Sequence, residues 1–373
     1  MRIRIKNVLM FQDNGTFLPG RLTVENGRIV EDGPADTVYD GQGALLCPGL
    51  IDQHTHGRAG ADFCAATGEQ LTAMAQDFAR HGVTTVLPTL ASDTFEGWLS
   101  ALSRIGKSGL AAYAGIHLEG RWLSPARRGA HAKNLLSAPS AAELQTLVAA
   151  SPLPILKITF APELTGGMGF LAACRERGVR ISQGHTDEDY AAAVAALAAG
   201  ADCFTHLYNA MPPLHHRAGG PVAAALTEKE AFAELICDGV HVAPEVVRLT
   251  YAAKGSDRLM LVSDSMAGTG CPDGTYEIAG QPAVLKDGKA LTPDGKLAGS
   301  TLNLLQGVQN LTAFCGIPFG EALRCATVTP AAYLGLQGER GTLSPGARAD
   351  LFLLQNENDP LPRRVMQAGK WID

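Results

Sequence analysis

The residues of this sequence best able to do chemistry sit where its apolar runs end. One run closes on His54-Thr55-His56. Side chains alternate along a strand, so the two imidazoles point the same way and Thr55 the other, a spacing that suits one metal ion. Other runs close on His117-Leu118-Glu119-Gly120, Gly184-His185, Thr205-His206 and Ser263-Asp264-Ser265. A lone His-x-His is a weak motif, and a single histidine is more often a hydrogen-bonded structural residue than a ligand. Chance would scatter the ten histidines over helices and loops, whereas four fall at three strand ends, with acids at two more. Imidazole and carboxylate together suit zinc or iron better than magnesium or calcium. His54, His56, Glu119, His185, His206 and Asp264 are therefore the candidates for metal binding and proton transfer.

Such residues need a scaffold that gathers strand ends. Eight apolar runs, 45–52, 84–90, 112–118, 155–161, 179–183, 201–206, 235–242 and 259–263, alternate with helix-period segments such as Phe95, Trp98, Leu99 and Leu102, or the alanine-rich 187–199. Thr67 to Gln70 reads as a capping box ahead of Leu71, Met74, Ala75 and Phe78, a helix that Gly82 stops. Eight β/α repeats predict an α/β fold, a (β/α)8 TIM-like barrel with its chemistry at the strand ends. A doubly wound open sheet is the alternative, but no Gly-x-Gly-x-x-Gly follows a strand.

The first fifty residues read as β, from the alternation of Met1 to Lys6 and from Leu22 to Val30, where Asn26-Gly27 supplies a tight hairpin. Asp287-Gly288 and Asp294-Gly295 mark a hairpin inserted after the eighth run, and 349–354 with 366–372 are again strand-like. Residues 1–48 and 340–373 are expected to join in a small β-sandwich domain beside a barrel of 49–339.

The chain has 373 residues, 46% hydrophobic and 18% charged, with 31 basic against 37 acidic side chains and a net charge of -6. That excludes disorder and argues against nucleic acid or an anionic membrane as partner, leaving a small molecule. Eight scattered cysteines with no Cys-x-x-Cys read as reduced core residues. No signal peptide or bilayer-length apolar run is visible, so a cytoplasmic location is expected.

Pro48-Gly49-Leu50-Ile51-Asp52-Gln53-His54-Thr55-His56-Gly57 resembles the opening signature of the amidohydrolase superfamily. His117-Leu118-Glu119-Gly120, Arg128-Gly129-Ala130-His131, Gly184-His185-Thr186, Thr205 to Met211, Asp238-Gly239-Val240-His241 and Val262-Ser263-Asp264 are similar, in matching order, to the N-acetylglucosamine-6-phosphate deacetylase family. The resemblance covers nearly the whole chain, terminal strands included. It implies metal-dependent hydrolysis of the N-acetyl group of a 6-phosphorylated amino sugar, giving glucosamine 6-phosphate and acetate.

By matching position, the resemblance assigns Glu119, His185 and His206 to the main metal, and His54 with His56 to a second ion bridged through Glu119. Zinc is the first choice, with iron, cobalt or manganese as alternatives and one or two ions per subunit. Asp264 would be the proton shuttle and His131 the donor to the developing oxyanion. Ala130, His131, Asn209, Ala210, Arg217, His241, Leu297, Ala298 and Gly299 would contact the substrate, Arg217 from its own or the neighbouring subunit of a homodimer. Two stretches depart from the family pattern: Arg121 stands where proline is usual, and Arg217-Ala218-Gly219-Gly220-Pro221 replaces Arg-Glu-Pro-Gly. His215 and His216 read as exposed loop residues. The competing readings are a deacetylase of another amino sugar phosphate such as N-acetylgalactosamine 6-phosphate, a cyclic-amide hydrolase bridged by carboxylated Lys157, and a non-catalytic binding barrel.

Overall fold

The computed structural model describes residues 1–372. Its larger sheet holds eight parallel strands: β1 Leu50–Thr55, β2 Val83–Leu90, β3 Ile116–Glu119, β4 Ile155–Phe160, β5 Arg180–Gln183, β6 Cys203–Phe204, β7 Phe232–Leu235 and β8 Leu259–Leu261. They neighbour one another in chain order. A helix follows each in turn, at Gly68–Arg80, Phe95–Lys107, Ala141–Ala150, Gly167–Glu176, Tyr190–Ala199, Gly220–Thr227, Pro244–Arg258 and Leu304–Cys315. The strands are buried almost throughout, as parallel strands covered by helices must be. This is the TIM-like (β/α)8 barrel that the eight runs predict.

The seam between β8 and β1 is bridged by main chain. At one end Ile51 and Leu261 donate to the carbonyls of Ala326 and Cys325; at the other the Asp264 N–H donates to the His54 carbonyl at 2.9 Å. Closing the barrel therefore puts the residue after β8 beside the histidine of β1.

The terminal strands form a separate eight-stranded sheet, in which Leu351–Leu354 pairs antiparallel with Leu45–Pro48 and so ties the two chain ends together. Asn26 and Gly27 turn the hairpin between Phe17–Glu25 and Arg28–Val30 with φ of +51° and +80°. The capping box at Thr67 is present, with reciprocal bonds to Gln70, and the helix buries the four side chains its spacing selects. Among the described residues no helix is long and apolar enough to cross a membrane.

The strands differ from the sequence reading in several places. The first run breaks at Gly49: Leu45–Pro48 belongs to the terminal sheet and only Leu50–Thr55 to the barrel. The seventh run, 235–242, is displaced, since β7 is Phe232–Leu235 and 236–242 leaves the sheet. The cause is Glu234, which breaks the apolar pattern yet is fully buried against Lys157. The insertion after β8 has three strands instead of a hairpin, Gly274–Ile278, Gln281–Lys286 and Lys289–Leu291, because Ala279-Gly280 also turns, with φ of +52° and +76°.

Gly49 makes the crossing between the sheets: a Cβ there would lie 1.9 Å from Thr84 Oγ1 and 2.8 Å from both Thr84 Cβ and Cγ2. Gly49→Ala should lower unfolding free energy by about 1–3 kcal/mol, the usual scale of overpacking, with part restored by Thr84→Gly. Urea denaturation checks this, and an unchanged midpoint would show that the crossing tolerates a side chain.

Candidate active site

Local backbone turns the site residues inward. His185, His206 and Asp264, each just past a strand end, take left-handed φ of +48°, +30° and +49°. Such conformations are uncommon outside glycine and cost about 1–3 kcal/mol each, so the surrounding fold must hold them. Tyr208 and Ala210 continue the pattern after β6, at +79° and +52°. His54 and His56, at the end of β1, share one side of the strand as their spacing predicts.

Glu119 is the centre. It is 1% exposed, and its two oxygens face different histidines. Oε1 lies 3.1 Å from His206 Nε2 and 3.3 Å from His185 Nε2, and those two nitrogens are 3.1 Å apart. Oε2 lies 2.9 Å from His56 Nε2 and 3.2 Å from His54 Nε2. Asp264 Oδ1 completes that second cluster, 3.2 Å from His56 Nε2 and 3.5 Å from His54 Nε2. The strand-end residues of β1, β3, β5, β6 and β8 thus converge in one cluster around Glu119.

The tautomers show what this cluster can hold. His185 Nδ1 donates to the Arg127 carbonyl at 2.9 Å, and His54 Nδ1 donates to Glu234 Oε2 at 3.0 Å. In neutral imidazole each Nε2 then presents a lone pair to Glu119, where an acceptor already sits. Buried acceptors facing one another at this range require a cation between them. His54 Nε2, His56 Nδ1 and His206 Nδ1 are also buried without a hydrogen-bond partner. Sides of 3.1 to 3.3 Å match the edge of about 3.3 Å expected for a tetrahedral ion at bonds of about 2.0–2.1 Å. The donor set fits a divalent metal.

The field agrees. Burial opposes the charged form of His54, but Glu119, Glu234 and Asp264 outweigh it and lift its pKa to about 9. Burial would likewise raise Glu119 and Asp264, yet His54 and the other imidazoles hold Glu119 well below the usual carboxylate range and, with His56, bring Asp264 to about 2. The site is one that collects positive charge.

Beneath it, Lys157 Nζ donates to Glu234 Oε1, and Glu234 Oε2 holds His54. Glu234 was not legible as a site residue; its signal is a single acid inside an apolar stretch. Lys157 is fully buried and committed to this pair, which leaves the carboxylated-lysine reading without a ligand. His117 does not reach the cluster: it spans Thr89 Oγ1 at 3.0 Å and Thr159 Oγ1 at 2.8 Å beneath the His54 ring.

A cavity of about 480 Å³ opens over the cluster, walled by Ala130, His131, Asn209, Ala210, His241, Leu297 and Gly299, with His56, Glu119, His185, His206 and Asp264 among its lining. His241 is fixed by its Nδ1–H bond to Asp238 Oδ2 at 2.6 Å. One expected contact lies elsewhere. Ala298 is fully buried behind the wall, in an apolar cluster with Met266 and Ile278, because the residues on either side of it, Leu297 and Gly299, face the cavity. Arg217 does not line its own chain's cavity; its Nη1 bonds His216 Nε2 at 2.7 Å on an exposed loop, where His215 and His216 also lie. Arg127, Arg128, Lys296 and Ile278, not anticipated from sequence, line the cavity as well.

Residues 45–372 match the model of the Amidohydrolase family. The chain is 37% identical over 347 residues to the N-acetylglucosamine-6-phosphate deacetylase of Vibrio furnissii, covering 89% of this chain and 86% of that protein. It is 36% identical over 325 residues to the N-acetylgalactosamine-6-phosphate deacetylase of Escherichia coli O157:H7, covering 86% of each. Its fold is similar, with a TM-score of 0.90 and 35% identity over 100% of this chain and 99% of the other, to a mutant N-acetyl-D-glucosamine-6-phosphate deacetylase from Mycobacterium smegmatis solved in complex with N-acetyl-D-glucosamine-6-phosphate. With its barrel, its strand-end histidines and its shared glutamate, the chain belongs to the amidohydrolase family, in the group of its N-acetylglucosamine-6-phosphate deacetylase relatives.

Proposed function

We propose that this protein hydrolyses the N-acetyl group of N-acetyl-D-glucosamine 6-phosphate, releasing D-glucosamine 6-phosphate and acetate. The observation that carries the reading is Glu119, with one oxygen toward His185 and His206 and the other toward His54 and His56, at the floor of a cavity of sugar-phosphate size. Family membership implies a divalent metal; zinc is the best match to a three-cornered set of two imidazoles and a carboxylate. Glu119, His185 and His206 would hold the main ion, and His54 and His56 a second. When bound, such an ion polarises an amide carbonyl and acidifies water.

The chain's own groups do the rest. Asp264 is ionised across the working pH range, so it can take a proton from the attacking water and return it to the departing amine. Its place beside His54 and His56 also lets it steady a second ion. Burial lowers His131 to about 4 despite Glu119 beside it, so this imidazole is neutral and can donate a hydrogen bond to the developing oxyanion. Asn209, the Ala210 backbone and His241 form the wall on which the phosphate end would rest. Arg217, exposed and outside the lining of its own cavity, fits a reach into the neighbouring subunit of a homodimer. Its planar fork suits a phosphate dianion. We read residues 1–48 with 340–373 as a small domain, 49–339 as the catalytic barrel, and the protein as cytoplasmic.

Glu119→Gln should lose bound metal and turnover together, measured by elemental analysis alongside acetate release; full metal content at normal rate would remove the assignment. In Asp264→Asn, substrate binding should persist while kcat falls by roughly two or more powers of ten, the scale of general acid–base catalysis; a near-normal rate would exclude the shuttle. The substrate itself is tested by acetate release over N-acetylglucosamine and N-acetylgalactosamine, each with and without a 6-phosphate. The glucosamine phosphate should be preferred, and Arg217→Ala should weaken kcat/KM on it by about 1.5–3 kcal/mol, as for hydrogen bonds to charged groups, while hardly changing the unphosphorylated sugar. Preference for an unphosphorylated sugar would overturn the substrate.

A further inference from the structure

We propose that Ser92, just past the end of β2, is a positioning residue that fixes His131 in the tautomer carrying its proton on Nε2, the nitrogen facing the cavity. The inference rests on the reading above, in which His131 donates to the substrate's oxygen. Its basis is the direction of three hydrogen bonds.

The Ser92 backbone N–H donates to His131 Nδ1 at 3.3 Å. A backbone N–H can only donate, so Nδ1 must offer a lone pair. The Ser92 hydroxyl lies closer to the same nitrogen, at 2.8 Å, and its direction is also set. With the Nδ1 lone pair required by the backbone N–H, the hydroxyl must donate to it, and the Arg121 backbone N–H, donating to Ser92 Oγ at 3.0 Å, leaves that hydroxyl proton free to do so. Two donors converge on Nδ1. A neutral imidazole has one N–H, and here it can only be on Nε2.

The surrounding residues make this approach close. Ser92 is 2% exposed, and Gly120, at φ +153°, presses against it: a Cβ at 120 would lie 2.5 Å from Ser92 N and 2.6 Å from its Oγ. Only glycine lets the β3 loop deliver the Arg121 N–H to that hydroxyl. Arg121 itself is left-handed, at φ +52°, and is held by bonds to the Asp93 carbonyl at 3.0 Å and Glu143 Oε1 at 3.2 Å.

The contrast with the neighbouring histidines gives the arrangement its meaning. Behind His54 and His185 stand acceptors, the Glu234 carboxylate and the Arg127 carbonyl, which free each Nε2 to act as a ligand. Behind His131 stand donors. His131 Nε2 lies 3.7 Å from Glu119 Oε2, and His131 groups spatially with Glu119 and His185 as a would-be metal set. A protonated Nε2 cannot be a ligand. Ser92 therefore sets His131 apart, as a hydrogen-bond donor, from the ligands His54 and His185.

The test is the tautomer itself, read by nitrogen NMR on metal-loaded protein labelled in its histidine rings, with His131 assigned from His131→Gln. The wild type should show His131 protonated on Nε2. Ser92→Ala keeps only the longer backbone bond, so an Nδ1–H population should appear and kcat should fall about tenfold, with KM and metal content unchanged; Ser92→Thr, which keeps the hydroxyl, should restore both. A wild-type His131 protonated on Nδ1, or bonded to metal through Nε2, would overturn the proposal without any Ser92 variant. So would Ser92→Ala with wild-type tautomer and rate. The underlying reading fails separately: His131→Gln should cost about 10²–10³ in kcat, as for loss of one oxyanion donor, and normal turnover there would refute the donor role of His131 whatever the spectra show.

Discussion

A buried carboxylate shared between two pairs of imidazoles is the constraint on which this structure depends. Glu119 cannot be charged in an apolar interior without compensation, and burial of an unpaired carboxylate would shift its pKa upward until it neutralised. Here the opposite happens, because imidazoles surround both oxygens. The cluster in turn is stable only with cations among its acceptors, whether protons or metal. Barrel closure, strand register and the left-handed turns all serve to bring histidines from three other strand ends within about 3 Å of Glu119.

The support extends two layers out. Lys157 and Glu234 form an ion pair deep in the barrel, and Glu234 passes its orientation to His54 and, through a bond from the His206 N–H at 3.3 Å, to the β6 turn. Removing either partner would strand the other as a lone buried charge. The Asp264 N–H bond to the His54 carbonyl ties the first and last strands at the level of the site. Left-handed backbone recurs in the same place, at His185, His206, Tyr208, Ala210 and Asp264, and strain at a site is where a fold is expected to spend stability on function.

Much of this was legible in the residues. Period-2 alternation placed His54 and His56 together, and the habit of barrels to carry chemistry at strand ends singled out Glu119, His185, His206 and Asp264. The eight runs gave the barrel because parallel strands buried on both faces are nearly continuous apolar stretches. The same logic hid Glu234: a charge inside an apolar run reads as a strand boundary, so β7 was placed too far along the chain. Ser92 and Arg127 were invisible for a different reason. Ser92 acts through its hydroxyl and backbone N–H, Arg127 through its carbonyl, and both on residues distant in sequence, so no local spacing announces them. Ala298 shows the limit of matching by position: it is turned into the wall by its neighbours.

The central claim is that Glu119 is the shared ligand of a metal centre. Anomalous diffraction from zinc-loaded crystals tests it most directly. The account predicts an ion bound by Glu119 Oε1, His185 and His206, and, where a second ion is present, its position on the Oε2 side among His54, His56 and Asp264. Zinc bound through His131, or an active enzyme whose ion makes no contact with Glu119, would contradict it.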